Sequence, residues 1–245
     1  VAVAVNTGLA EPPAIADRSA VHGALAEIED VRVLRVWGTP AQRGFAQGYL
    51  LGGDIVSLLD AYLAGGAVGG NAEGYETIAL PLTKLMRIGD EHQEELRGLL
   101  EGIEAQSGGP VTLRALARPL RYDDLVVVNC IPDLAMFGCS SFAAWGSATV
   151  DGQTLAGRNL DWRRVDALDG TQVVVVRQRH AGTSRRGWIS ITWPGYIGCL
   201  TGMNEEGITV SMHDVRAVPP TVAGFTPRGL ILREAIESAR AASAV

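Results

Sequence analysis

The stretch GCSSFAAWGSATVDGQTLAGRNLDW, residues 138–162, holds the residue types best suited to chemistry. Cys139 offers a thiol, and Arg158 and Asp161 follow it beyond a strong turn signal, Asp151-Gly152. A tight turn there pairs Val150 with Gln153 and brings Cys139 opposite the 160s, so the three side chains meet by local folding alone. A guanidinium beside a thiol favours the thiolate, which is the nucleophilic form. A carboxylate at the same place opposes it by charge, so Asp161 needs a separate task. Holding a second cation is one such task, and a free α-amino group on Cys139 would be that cation. Taken alone, Cys139 still has three readings: a buried small hydrophobe, half of a disulfide, or a nucleophile.

Other chemistries find less support. CxxC, HxxxH and HExxH are absent from the sequence, which leaves no metal-ligand spacing, and there is no phosphate loop or GxGxxG after a strand. The four histidines, His22, His92, His180 and His213, are scattered. Of these, His213, followed by Asp214 at the end of a strand, is the best partner for a conventional Cys–His pair. Its alternative is a hydrogen-bonded edge or core histidine. Cys130 and Cys199 have no polar constellation around them and read as inert core thiols. Trp162, next to Asp161, is a core aromatic or the wall of a substrate pocket.

Composition sets the frame. The chain has 245 residues, 47% hydrophobic and 20% charged, with a net charge of −6. That is enough to bury a sizeable core, and the absence of a basic stripe argues against general nucleic-acid binding. Lys84 is the one lysine among 21 basic residues. Three cysteines are too few and too odd in number for a disulfide framework. No apolar run is long enough for a membrane-spanning helix. The opening VAVAVNTGLAEPPA has no initiator Met and no complete signal peptide, and reads as a trimmed terminus. The compartment stays open between cytoplasm and export with the signal removed.

The elements that must position the site follow from periodicity. VRVLRVWG (31–38) reads as a strand. Thr39 and Pro40 form an N-cap and N1 pair for a helix through AQRGFAQGYLLGGDIVSLLDAYL. Gly44 and Gly48 share one face of that helix, which predicts close packing of another element against them. GGAVGGNAEG (65–74) reads as linker or surface loop. A second helix is expected from about Leu85 through DEHQEELRGLLEGIEA, with its acidic run and His92 on a solvated face and SGGP breaking it. DDLVVVNCIPDL (123–134) is a short apolar element. Beyond it, 171–179, 186–193, 196–203 and 207–215 read as the strands of an antiparallel meander. The turn Asn204-Glu205-Glu206-Gly207 joins the last two, and a helix follows from Pro227. Helices, then strands, then a helix make an α+β protein with a layered sheet.

GCSSF…DGQTLAGRNLDW followed by GMNEEGITVSM resembles the N-terminal nucleophile (Ntn) hydrolases. The closer resemblance is to the acyl-coenzyme A:isopenicillin N acyltransferase-like family. GRNLDW is similar to the RNxD motif shared with conjugated bile acid hydrolases, penicillin V acylases and acid-ceramidase-like amidases. WGTPAQRGFAQG and EELRGLLEGI extend the resemblance upstream to about residue 31. It implies an αββα fold of layered antiparallel sheets and self-cleavage of the Gly138–Cys139 bond. Residues 1–138 would then be a mainly helical pro-segment, and residues 139–245 the start of the catalytic chain. The two chains would stay associated after the cut, and a homo-oligomer is left open. Family members continue well past the equivalent of Val245, so the fold is expected to be incomplete at its C-terminal end.

By the same resemblance Cys139 is the nucleophile, Asp161 orients its α-amine, and Arg158 positions it. A backbone amide near His213 serves the oxyanion hole, with Asn204 a weaker donor candidate. The implied substrate is a small acyl amide or acyl thioester, cleaved or transferred without cofactor or metal. Two alternatives are a conventional cysteine hydrolase using His213 without chain cleavage, and a noncatalytic binding protein that keeps the fold and never matures. Substrate identity depends on pocket shape, which no motif encodes.

Overall fold

A six-stranded sheet and the helices on one of its faces make up most of the molecule. The computed structural model describes residues 21–64, 71–134, 138–162, 166–180, 182–214 and 223–240. In chain order, β1 (Gly23–Ile28) and β2 (Val31–Val36) precede helix α1 (Pro40–Ala64). Then come the short helices α2 (Ala72–Gly74) and α3 (Leu80–Thr83), joined by a π turn, and the long α4 (Asp90–Ser107). The two-residue strands β3 (Thr112–Leu113) and β4 (Arg118–Pro119) lead to α5 (Tyr122–Leu134). β5 (Gly138–Ala144) and β6 (Leu155–Asp161) follow, then α6 (Asp166–Asp169). β7 (Val173–Arg177), β8 (Trp188–Thr192), β9 (Thr201–Asn204), β10 (Thr209–Ser211) and α7 (Arg228–Ser238) complete the α+β fold.

The large sheet runs β1-β2-β7-β8-β9-β10, while β5 and β6 form a separate two-stranded sheet. One pair departs from the antiparallel expectation: β2 and β7 are parallel. β1, which carries no strong strand signal, joins β2 through a two-residue turn. Glu29 and Asp30 there both have positive φ, 49° and 65°, as a turn that follows strand twist requires. Alternate residues Val173, Val175, Trp188 and Ser190 are buried under the helices, while Ile189, Ile191 and Met203 on the other face are exposed. The expected strands at 196–203 and 207–215 shorten to β9 and β10, and residue 215 lies outside the described residues. So do 1–20, 65–70 and 241–245. Within the expected 65–74 loop, Asn71 caps α2 instead, accepting from the Gly74 amide at 2.8 Å.

Thr39 starts α1 as expected. Its Oγ1 accepts from the Gln42 amide at 3.3 Å, and Gln42 Oε1 accepts from the Thr39 amide at 2.9 Å, a reciprocal capping box. Gly44 and Gly48 do receive a neighbour, which is α4. A Cβ on Gly44 would stand 1.8 Å from the Glu95 carbonyl oxygen, and one on Gly48 2.1 Å from that of Leu99. Gly98 and Gly102 answer from α4, each with a would-be Cβ 2.2 Å from an α1 carbonyl. Backbone therefore meets backbone along the seam, and no side chain fits there.

The solvated face expected for α4 is overturned at two positions. His92 and Glu95 are buried, at 3% and 0% exposure. The reason is ionic. Glu95 receives Arg43 of α1 at 3.3 Å, Arg233 of α7 at 2.7 Å, and Arg177 of β7 in a closer contact. One carboxylate thus ties two helices and the sheet to α4. Burial alone would raise the Glu95 carboxyl, but the three guanidiniums hold it well below the usual carboxylate range. α4 itself begins at Asp90; Leu85 lies before it and is exposed. Gly108, with φ 75°, closes the helix in the left-handed conformation. No helix among the described residues is long and apolar enough to cross a membrane.

Candidate active site

Cys139 sits on β5 directly opposite Leu160 of β6, and Gly138 stands opposite Asp161. Strand pairing ends at Ala144 and Leu155, so residues 145–154 form one longer connection. Asp151 and Gly152 do turn there: Asp151 Oδ1 accepts from the Gln153 amide at 3.1 Å and Gly152 has φ 76°. They do not close the two-residue hairpin the sequence suggested. A one-turn 3-10 helix, Gly146–Ala148, occupies part of the loop and sets the register.

Cross-strand partners share a face, and neighbours along a strand alternate. Cys139 and Ser141 therefore lie on one face with Leu160 and Arg158. Gly138 and Ser140 lie on the other with Asp161 and Asn159. The charge conflict between thiol and carboxylate is resolved by this alternation. Arg158 Nη2 approaches Cys139 Sγ at 3.1 Å. Asp161, on the opposite face, stands beside the Gly138 end of the peptide bond, and its Oδ2 would be 3.4 Å from a Cβ placed on Gly138. Asn159 Nδ2 donates to Asp161 Oδ1 at 2.5 Å, which fixes the carboxylate.

Two residues that sequence reasoning missed hold Arg158 in place. Its Nη1 donates to Thr201 Oγ1 at 2.6 Å, and its Nη2 also donates to the Met212 carbonyl at 2.5 Å. The Cys139 thiol points at that same carbonyl, 3.5 Å away. Thr201 opens β9 and Met212 follows β10, so the end of the large sheet aims the guanidinium that meets the sulfur. Neither contact has a local sequence signal, because each partner lies more than forty positions from Arg158 along the chain.

The remaining candidates are placed as follows. The His213 ring pairs with Ser211 Oγ at 3.3 Å, with no described contact to Cys139. In the trans peptide joining Met212 to His213, a carbonyl aimed at the thiol turns the His213 N–H away from it. Asn204 is buried and fully engaged. Its Nδ2 donates to Ile236 and Ala239 carbonyls and its Oδ1 accepts from Glu206 and Ile208 amides, all at 3.0 Å. It ties the β9–β10 turn to the end of α7. Burial pushes the Cys199 thiol up to about 12 and the Cys130 thiol higher still, as inert core positions require.

Trp162 does wall a pocket. Its Nε1 donates to Tyr62 Oη, and it lines an apolar cavity with Leu59, Tyr62, Trp193, Tyr196 and Leu200. Trp162, Trp193, Tyr196 and Leu200 also belong to the apolar cluster against which Cys139 packs. A wider cleft bounded by Arg158, Asp161, Trp162, Trp193 and Thr201 opens beside them.

Part of the chain is similar to known proteins. Residues 148–245 match the family described as acyl-coenzyme A:6-aminopenicillanic acid acyl-transferase. The matched interval holds Arg158, Asp161 and Thr201 and begins after Cys139. An uncharacterized protein of Archaeoglobus fulgidus is 22% identical over 225 residues, covering 79% of this chain and 34% of its own length. Protein dcd1A of Dictyostelium discoideum is 24% identical over 203 residues, covering 72% of this chain and 43% of its own. Protein dcd1B of the same organism is 33% identical over 86 residues, 35% of this chain and 17% of its own. The chain thus spans less than half the length of the curated relatives it matches. The family match supports an Ntn-hydrolase-like acyltransferase relationship for the part of the chain that carries β6 to α7.

Proposed function

We propose that this protein is a self-processing N-terminal-cysteine hydrolase or acyltransferase. Its first reaction is on itself. Cys139 Sγ attacks the Gly138 carbonyl carbon, the C–N bond breaks, and the acyl group moves to sulfur while Cys139 gains a free amine. Water then hydrolyses the thioester, leaving a Gly138 carboxylate and a free Cys139 thiol. Gly138 suits the step because it has no side chain to obstruct the attack. Residues 1–138 and 139–245 then form two chains of one domain.

In the mature form the Cys139 thiol attacks an amide or thioester carbonyl. Its own α-amine, with an ordinary pKa of about 8, takes the proton and passes it to the leaving group. Water, or an amine acceptor, resolves the acyl-enzyme. Asp161 holds the new ammonium, and Arg158 aims the sulfur. The observation that carries this reading is the division of labour across β5: guanidinium on the sulfur's face, carboxylate beside the bond to be cut.

Two further features support it. β1 and β2 come from before the proposed cut and β7 to β10 from after it, yet they share one sheet. The two chains would therefore stay together through β2–β7 pairing and a common core. The cavity beside Cys139 is likewise built from both sides, Leu59 and Tyr62 before the cut and Trp162 and Trp193 after it. Its apolar walls fit an uncharged hydrocarbon or aryl acyl group. The full αββα layering belongs to the same proposal. The exposed Ile189, Ile191 and Met203 are the face a second sheet would cover.

Incubation with a medium-chain acyl thioester tests the reading. The expected result is a mass increase of one acyl group on the peptide beginning at Cys139, with release of free thiol, both abolished in Cys139→Ala. Acylation elsewhere, or turnover that survives Cys139→Ala, overturns it.

A further inference from the structure

A second cavity lies at the far end of the large sheet from Cys139. Its walls include Thr39 at the start of α1, Arg177 at the end of β7 and Trp188 opposite it on β8. Arg158 and Thr201 lie toward the Val173–Thr192 end of the same strands. Arg177 is four positions along β7 from Val173, or roughly 13 Å at the ordinary strand rise. The two sites are therefore separate.

The chain is acidic overall, with a net charge of −6, but this cavity reverses the sign. Arg43, Arg177, Arg179, Arg185 and Arg186 line it against Glu91 and Glu237. The carboxylates that orient the arginines stand largely outside the lining. Glu95 holds Arg43 and Arg177, Glu206 holds Arg186, and Glu205 reaches Arg179 only at 3.8 Å. With buried Arg233, the network sets six guanidiniums against five carboxylates among the described residues. Two buried donors, the Nε atoms of Arg43 and Arg177, have no hydrogen-bond partner among the described residues. Arg177 itself is 4% exposed. Burial, with Arg233 and Arg43 adding to it, outweighs Glu95 and draws the Arg177 guanidinium down to about 10. A cluster of pre-oriented guanidiniums with one charge uncompensated is a site for an anion with several acceptor oxygens.

We propose that this cavity binds a phosphate group, free or as a monoester, away from the catalytic cysteine. The ligand would bridge α1, the end of β7 and the side chains of Arg179, Arg185 and Arg186, and so stabilise the assembled domain. Inorganic phosphate and phenyl phosphate are titrated against the full chain by calorimetry, with chloride at matched ionic strength as reference. Saturable binding is expected in the wild type, at least ten-fold weaker in Arg179→Gln and in Arg185→Gln. Arg179 is half exposed, so its variant should keep the wild-type melting temperature without ligand. Binding of inorganic phosphate alone assigns a free-anion site, and tighter binding of phenyl phosphate assigns a monoester site. Heats no larger than chloride gives, or wild-type affinity in both variants, overturn the proposal.

Discussion

Arg158 Nη2 lies 3.1 Å from Cys139 Sγ, although the strand register places Arg158 opposite Ser141 and Cys139 opposite Leu160. The guanidinium crosses diagonally on one face of the hairpin. It can do so because Thr201 Oγ1 holds its Nη1 and the Met212 carbonyl accepts from the same Nη2. The contact is therefore set by the large sheet as much as by the hairpin, and it can be dissected from either end.

Arg158→Gln should lower kcat/KM for an acyl substrate by roughly 10²-fold, the usual effect of removing one preorganised charged donor. Thr201→Val removes one hydrogen bond to the same guanidinium and should cost about 10-fold. Arg158→Lys should recover little, since one ammonium cannot span sulfur, hydroxyl and carbonyl together. Steady-state kinetics on folded variants would check this. A Thr201→Val enzyme with unchanged kinetics would remove Thr201 from the account.

The α1–α4 seam gives a stability prediction. A Cβ on Gly98 would meet the Ala41 carbonyl carbon and oxygen at 2.9 and 2.2 Å, so the helices must separate. Gly98→Ala should cost about 3 kcal/mol, lowering Tm by roughly 10 °C. Gly53, on α1 with nothing within 4 Å of its would-be Cβ, is the control. Gly53→Ala should be neutral or stabilising by about 0.5 kcal/mol through helix propensity. Thermal melts separate the two cases. Equal effects would mean that the glycines matter through propensity and not through contact.

Stability should also fall early on acidification. Burial, with help from Arg233, lowers His92 from 6.5 to about 4. The folded state thus holds His92 neutral where the unfolded chain would protonate it. Its contribution is complete above pH 6.5, and stability is lost as pH falls from there toward 4, below which both states are protonated. Between pH 7 and 5 the loss should be about 2 kcal/mol. His92→Leu should flatten that interval in denaturant melts. A wild-type profile already flat between 5 and 7 would contradict the burial of a neutral imidazole. Glu95, whose carboxyl is held low, gives its loss at more acidic pH and is not confused with this.

How much of this was readable in the residues depended on sequence separation. Cys139, Arg158 and Asp161 share one hairpin, so their placement on paired strands needed no long-range information, whereas the aim of Arg158 at the sulfur did. The register did, because an Asp-Gly turn inside a longer connection looks the same as one that closes a hairpin. Gly44 and Gly48 announced a close neighbour without naming α4. Thr201 and Met212 gave no sign, since their role exists only once β9 and β10 stand beside the hairpin. Glu95 and His92 sit in a strongly acidic helix start, and their burial depends on arginines contributed by β7 and α7. The parallel β2–β7 pair was hidden for a related reason: strands far apart in sequence carry no mark of their pairing. Asn204 showed its turn in the sequence, while its hold on the end of α7 appeared only in three dimensions.

The most direct test is whether the Gly138–Cys139 bond is cut. Intact mass and N-terminal sequencing of freshly purified protein would show it. Two fragments are expected, the second beginning Cys-Ser-Ser-Phe, with Cys139→Ala left uncut and Asp161→Asn cut slowly or not at all. A single uncut chain that turns over acyl substrate, and loses that activity in His213→Ala, would contradict the account.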